Sequence, residues 1–315
     1  MERFLLILLL TGLAFPAQAA KVRVAASNSD LGYLCERVAG DLASVESLSS
    51  GDQDPHMVDP RPSMVAKIRR ADLLLRVGLD IDMWVDSLLG AGKNPRVVYG
   101  SPGYVDASVN IPLLQVPKDK VDGSMGDLHI FGNPHYWLDP ANGKVMARNI
   151  RDGLCRVRPE DCPAFDANLS RLEGELGAAL KRWEKTLSPY EGAGIVTYHN
   201  SWVYFARRFN LKLLGTLEPK PGVPPSPAHL DRLIKDMASG NARAILVESY
   251  FPTKGARKVA ATTGAEVLVV PSSAGGQPGV KTYFDLFDAI VGSLARALAS
   301  PSGAPSCSKE SPCSN

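Results

Sequence analysis

One long helix with an unbroken apolar stripe divides this chain into two stretches that follow the same plan. From Pro159 onward, Phe165, Leu169, Leu172, Leu176, Leu180, Trp183 and Leu187 recur every three or four residues through SRLEGELGAALKRWEKTL. That spacing puts them on one face of a helix, as a core-packing surface. On its N-terminal side, short apolar strands alternate with helices. KVRVAAS, ASVESLSS, DLLLRVG and RVVYGS read as strands, and DLGYLCERVAGD, PSMVAKIRRA and DMWVDSLLGAG as the helices between them. Residues 101–134 are rich in Gly, Pro and Asp without periodicity and read as a long loop. ANGKVMARNIRDGLCRV then reads as a helix. Beyond the long helix the alternation restarts: GAGIVTYH, LKLLGTLE, ARAILVES and AEVLVVPS as strands, with SWVYFARRFN, SPAHLDRLIKDMASG, TKGARKVAATTG and YFDLFDAIVGSLARALA as helices. Such alternation builds parallel sheets covered by helices. The expected fold is α/β, two lobes with parallel helix-covered sheets joined by the long helix.

The two ends of the chain read differently. Arg3, an apolar run from Phe4, Pro16 and the triplet Ala17-Gln18-Ala19 form a secretory signal peptide, residues 1–19. The expected divisions are then an N-terminal lobe at 20–158, a linking helix at 159–188, a C-terminal lobe at 189–300 and a flexible Ser/Pro-rich tail at 301–315. No apolar stretch after residue 20 is long enough to cross a bilayer, so an exported protein is expected. In an oxidising compartment, Cys155 with Cys162 and Cys307 with Cys313 are candidate local disulfides, and Cys35 reads as a buried free thiol. A net charge of +2 with no basic block gives no basis for a nucleic-acid partner. A monomer is expected.

Five histidines occur in 315 residues. Three sit in similar company: His56 in DPHMVDP, His135 in GNPHYWLDP and His199 in VTYHNSW. A loop histidine taken alone is more often a surface or hydrogen-bonded group than a ligand. Here, however, His56 follows a strand of the first half and His199 ends a strand of the second, while His135 stands between the long loop and a helix. Parallel sheets bind ligands beyond the carboxyl ends of their strands. The three therefore describe one metal site in the interlobe cleft. Neutral imidazole suits zinc and copper, and three rings leave one coordination position.

Glu248, ending AILVE, is the candidate fourth ligand. Glu218, at the end of LLGTLE, and Asp285 are rivals, as is a water. Glu218 also reads as a turn residue before PKPGVPPS, and Asp285 as a solvated carboxylate on the last helix. His229 reads as an exposed helix residue. His129, in GDLHIFGNPH, is close enough to His135 for a weak ligand or one on the metal's way in. Trp137 and Trp202 read first as core aromatics. Asp59 and Asp139, each before a proline, read as turn residues or as acceptors for a ligand imidazole.

Taken together, DPHMVDPRPSMVAKIRRADLLLRVGLDIDMW, GNPHYWLDP, VTYHNSWVYFARRFNL and EPKPGVPPS resemble the cluster A-I solute-binding proteins, the periplasmic zinc and manganese receptors of ABC importers. The resemblance covers nearly all of the chain after the leader. It implies two α/β lobes on one fairly rigid helix with the metal between them, and matches His56, His135 and His199 to the three ligand positions. Histidine at the third position is the zinc-like pattern; manganese receptors tend to carry a carboxylate there. Two departures stand out. VLVVPSSAGG has Ser272 and Ser273 where many members have an aspartate, which leaves the fourth ligand open. Only His129 precedes the second ligand, where many zinc receptors have a histidine-rich loop. The implied function is a non-enzymatic receptor that captures Zn(II) and delivers it to an ABC transporter permease. An exported zinc-dependent hydrolase with Glu248 as general base is a second reading, although no HExxH motif occurs. An adhesin or structural metal protein is a third. A receptor for Mn or Cu is the remaining alternative.

Overall fold

The first half of the chain runs β1 (Val22–Ala26), α1 (Ser29–Ala39), β2 (Ala43–Ser47), α2 (Pro62–Arg70), β3 (Leu73–Arg76), α3 (Trp84–Gly92), β4 (Tyr104–Asp106) and α4 (Asn142–Val157). Then comes α5 (Cys162–Leu187). The second half runs β5 (Gly194–Thr197), α6 (Val203–Arg208), β6 (Lys212–Thr216), α7 (Pro227–Ser239), β7 (Ala242–Glu248), α8 (Lys254–Thr263), β8 (Glu266–Val270) and α9 (Tyr283–Ala299). These come from a computed structural model that describes residues 20–118 and 129–299. The expected leader, the expected tail with Cys307 and Cys313, and part of the 101–134 stretch lie outside the described residues. No helix among the described residues is long and apolar enough to cross a membrane.

The strands form two four-stranded sheets, β2-β1-β3-β4 and β6-β5-β7-β8, with every pairing parallel. The same order in each half puts a crossover reversal beside β1 and beside β5, which opens a crevice at the carboxyl ends of those strands.

Residue alternation along the strands sorts the core into layers. On β1, Val22, Val24 and Ala26 face one cluster and Ala25 another; on β3, Leu73 and Leu75 are split from Leu74 in the same way. On β7, Ala244 and Leu246 are split from Ile245 and Val247. The outer clusters belong to one half each, under α2 and α3 in the first and α7 and α8 in the second. The inner cluster is shared by both halves. It takes Phe165, Leu169, Leu172, Leu176, Trp183 and Leu187 from α5, so the stripe is core as expected. α5 packs against α1 and α4 on one side and α9 on the other. A continuous core through the linking helix ties the halves into a stiff frame.

Local signals behave as their chemistry requires. Ser226 caps α7, accepting from His229 N, with Pro227 at its first turn. Cys155 and Cys162 form a disulfide that joins the end of α4 to the start of α5, and Cys35 is a buried free thiol. RVVYGS is the exception. It contains a 3-10 turn at Pro95–Val97 rather than a strand. Asn94 accepts from Arg96 N and donates to the Ile68 and Ala71 carbonyls, at 2.8 and 2.7 Å, so the chain is pinned across the end of α2. The strand that pairs with β3 comes later, at Tyr104–Asp106, inside the stretch read as loop.

The halves also meet across the cleft floor. Trp137 Nε1 donates to the Ser272 carbonyl at 2.8 Å, Ser29 Oγ to the Ala274 carbonyl at 2.6 Å, and Ala274 N to Asp30 Oδ1 at 2.9 Å. Gly51 packs so closely here that a Cβ would overlap the Ala274 carbonyl. The PSSAGG segment is thus part of the seam.

Candidate metal centre

His56 lies in the loop after β2, His135 follows the stretch after β4, and His199 follows β5. All are beyond carboxyl ends of strands, two from one half and one from the other. One ring nitrogen from each comes within 4.8 Å of the others. The ring centroids of the three pairs are 5.1, 5.2 and 5.3 Å apart. The three histidines, expected from distant pieces of the chain, do lie together.

Each ring is held by its Nδ1. His56 Nδ1 is 2.8 Å from Asp54 Oδ1, His135 Nδ1 is 3.0 Å from Asn133 Oδ1, and His199 Nδ1 is 2.7 Å from Glu218 Oε2. A carboxylate or amide oxygen accepts only, so Nδ1 carries the proton and a neutral ring leaves its Nε2 lone pair for the cleft. His135 Nε2 is buried with no hydrogen-bond partner among the described residues. A buried nitrogen lone pair without a donor is costly unless a cation takes it.

Two of these acceptors follow one local rule. In Asp54-Pro55-His56 and Asn133-Pro134-His135, the side chain two residues before the histidine accepts both its backbone N, at 3.0 Å in each case, and its Nδ1. The intervening proline has no N–H to compete and restricts the residue before it to extended backbone. Asp54 and Asn133 were missed by sequence reasoning. The signal for them was the repeated Asx-Pro-His tripeptide.

The burial of the rings sets their proton affinity. Burial lowers His56, with Asp54 only partly opposing it, and pushes His135 well below the ordinary range, with the neighbouring histidines adding to the effect. Burial also acts to lower His199, but the Glu218 hydrogen bond and the charges of Glu248, Glu218 and Asp54 outweigh it, so its affinity for a proton is raised.

The other candidates fall in different places. Glu248 ends β7 and is fully buried, but the three-histidine group does not include it. Its Oε1 accepts from Ser201 Oγ at 2.7 Å and Trp202 Nε1 at 3.0 Å, and burial pushes its pKa up to about 7. Glu218, read as a turn residue or rival ligand, orients His199 and also accepts from Gly222 N. Asp285 accepts from the Lys281 and Thr282 amides at the start of α9, away from the histidines. Asp139 receives Arg208 at 2.7 and 2.9 Å and accepts from Ala141 N, so it braces a turn rather than a ring. His229 is partly buried, and its Nε2 donates to the Thr216 carbonyl. Trp137 and Trp202 are buried, with both indole N–H groups paired.

His129 reaches the site. Its Nε2 is 3.1 Å from His56 Nε2, and its Nδ1 is paired with Asp80 in the loop after β3.

Known proteins share this architecture. The family model described as zinc-uptake complex component A, periplasmic (ZnuA), matches residues 24–297. The high-affinity zinc uptake system protein ZnuA of Paracoccus denitrificans is 25% identical, with 90% of this chain and 94% of that protein covered. The iron-binding protein YfeA of Yersinia pestis is 24% identical, covering 89% and 87%. A crystal structure of ZnuA superposes with a TM-score of 0.75 at 26% identity, covering 89% of this chain and all of that one.

Proposed function

Since the chain belongs to the family of periplasmic zinc-uptake components, matched over residues 24–297, we propose that it is a periplasmic receptor that captures Zn(II) and delivers it to the permease of an ABC importer. The observation that carries this reading is the set of three imidazoles, drawn from both halves, with every Nδ1 tied back and the remaining nitrogens converging.

In this reading His56, His135 and His199 are the ligands, and zinc is cargo rather than a resident cofactor. Residues 1–19 direct export, and the lobes are 20–158 and 189–300, linked by 159–188. An all-nitrogen ligand set favours zinc or copper over manganese, which prefers carboxylate oxygen. Asp54 and Glu218 place negative charge behind neutral rings, which orients them and raises their basicity toward a dication. Glu248 stands behind His199 as a buried acid held by Ser201 and Trp202. The shared core around α5 suits small adjustments of the lobes around the ion. Bound metal links the two halves and stabilises the fold by linkage.

The test is zinc titration by calorimetry of chelator-stripped protein, with Mn(II) and Cu(II) in competition. One tight zinc site per chain, weakened by His56→Ala, His135→Ala and His199→Ala alike, is expected. Zinc binding that survives all three changes would overturn the reading.

A further inference from the structure

We propose that His129 is a fourth imidazole ligand, positioned by Asp80, so that this chain closes its zinc site with four nitrogens. The inference rests on the receptor reading above and deepens it.

The geometry begins with His56 and His129. Asp54 accepts from one Nδ1 and Asp80 pairs with the other. Each ring in its neutral form therefore directs an Nε2 lone pair inward, and the two nitrogens stand 3.1 Å apart. Two lone pairs at that distance repel. A cation between them reverses the sign. A tetrahedral Zn(II) with Zn–N bonds of 2.0–2.1 Å sets its ligand nitrogens about 3.3–3.4 Å apart, close to the separation present. The His129 ring centroid lies 5.2 Å from that of His56 and 6.2 Å from that of His135, so it approaches from the His56 side and, like Glu248, stands just outside the three-histidine group.

Asp80 treats His129 much as Asp54 treats His56. It pairs with the ring nitrogen and accepts from a nearby backbone amide, Ile130 N, at 3.2 Å. Leu79 and Asp80 both have positive φ, 52° and 62°, a conformation non-glycine residues seldom adopt without a compensating role. From this turn the Asp80 carboxylate meets the His129 ring and the Ile130 amide. Glu248 remains the rival fourth ligand: its Oε1 takes two hydrogen bonds, while its buried Oε2 has no partner among the described residues.

The consequence is chemical. Three histidines leave a position for water, the arrangement that hydrolytic zinc uses. A fourth histidine fills it. The site then holds the ion without activating water and excludes oxygen-preferring metals more strongly.

The experiment uses Co(II) as a spectroscopic probe in the stripped mature protein, with Zn(II) affinity measured in parallel. Wild type, His129→Ala, Asp80→Asn, Glu248→Gln and His56→Ala are compared. Wild type is expected to give intense four-coordinate Co(II) bands that do not respond to azide. His129→Ala should still bind one metal per chain, at least roughly tenfold more weakly, with bands that shift on adding azide or imidazole. Asp80→Asn should weaken binding by roughly 10–100-fold with the band positions kept. If His129→Ala keeps both affinity and spectrum while His56→Ala loses binding, the fourth-ligand proposal is wrong and the receptor reading stands. If Glu248→Gln changes the spectrum and His129→Ala does not, the position belongs to Glu248. Loss of the receptor reading itself would appear as an unaffected His56→Ala variant.

Discussion

In the N-terminal half the site is reached by loops. His56 stands well beyond the end of β2, and His129 and His135 lie far along the chain from β4. In the C-terminal half it is reached by strand ends: His199 and Glu218 each sit two residues past a strand, β5 and β6, and Glu248 is the last residue of β7. The sheets have the same order, so the topology does not explain this difference. A residue at a strand end inherits its position from the sheet ladder. A residue on a loop must be fixed locally. Accordingly, His56 and His135 use acceptors two residues away and His129 uses Asp80 from the neighbouring loop, whereas His199 uses Glu218, brought alongside by the β5–β6 pairing. Function placed on loops needs its own scaffolding.

This contrast can be broken most directly at His199, the one imidazole the C-terminal half supplies to the site. His199→Ala should lower zinc affinity by more than about 100-fold, beyond what loss of a supporting group causes. It should also abolish the rise in melting temperature on adding zinc. Calorimetry and thermal melts with and without zinc check both.

A covalent difference comes next. The N-terminal half is tied to α5 by the Cys155–Cys162 disulfide, and among the described residues the C-terminal half has no disulfide. Replacing both cysteines with serine should cost about 2–3 kcal/mol in denaturant unfolding, as expected for so short a closed loop, with zinc stoichiometry unchanged.

The two ways of holding a ring can then be compared side by side. Asp54→Ala and Glu218→Ala should each weaken zinc by roughly 10–100-fold. Asp54 also accepts from the His56 amide, so its loss should additionally loosen the loop, read as faster hydrogen exchange at His56. The Glu218 variant should leave exchange in β5 unchanged.

A last contrast lies at the seam between the halves. Burial pushes Asp30 up to about 7, above its ordinary 3.8, with the Ala274 amide opposing the shift. The folded state thus holds this proton more tightly than the unfolded chain. Between about pH 4 and pH 7 the unfolded state is ionised while the folded state remains protonated, so stability falls as pH rises through that window. The slope is at most about 1.4 kcal/mol per pH unit. Asp30→Asn should flatten this part of the stability–pH curve, measured by urea unfolding at several pH values.

Much of this molecule was legible before any coordinates. The apolar period of Phe165 to Leu187 has one low-energy solution, a helix with that face buried, and it was found. Period-two strands between helices have few solutions other than a parallel covered sheet. Histidines at the ends of such strands converge because the crossover places those ends together. RVVYGS failed because a β-branched pair signals burial as well as strand, and the Asn94 bonds to the end of α2 lie outside any local pattern. Glu248 shows the same limit at the site. Its position at the end of β7 was readable, but that Ser201 and Trp202 would take one of its oxygens and leave the other without a partner was not.

What the sequence determined by itself were the properties set by neighbours along the chain: the two α/β halves, the helix between them, the caps, and the Asx-Pro-His units that aim two of the rings. What only the tertiary structure decided were the pairings between residues far apart. Glu218 with His199, Asp80 with His129, and His129 with His56 depend on ångström-level placement of separate loops and strands. Periodicity constrains the face on which a side chain lies; hydrogen bonding and coordination depend on distance, and distance is set by the packed fold.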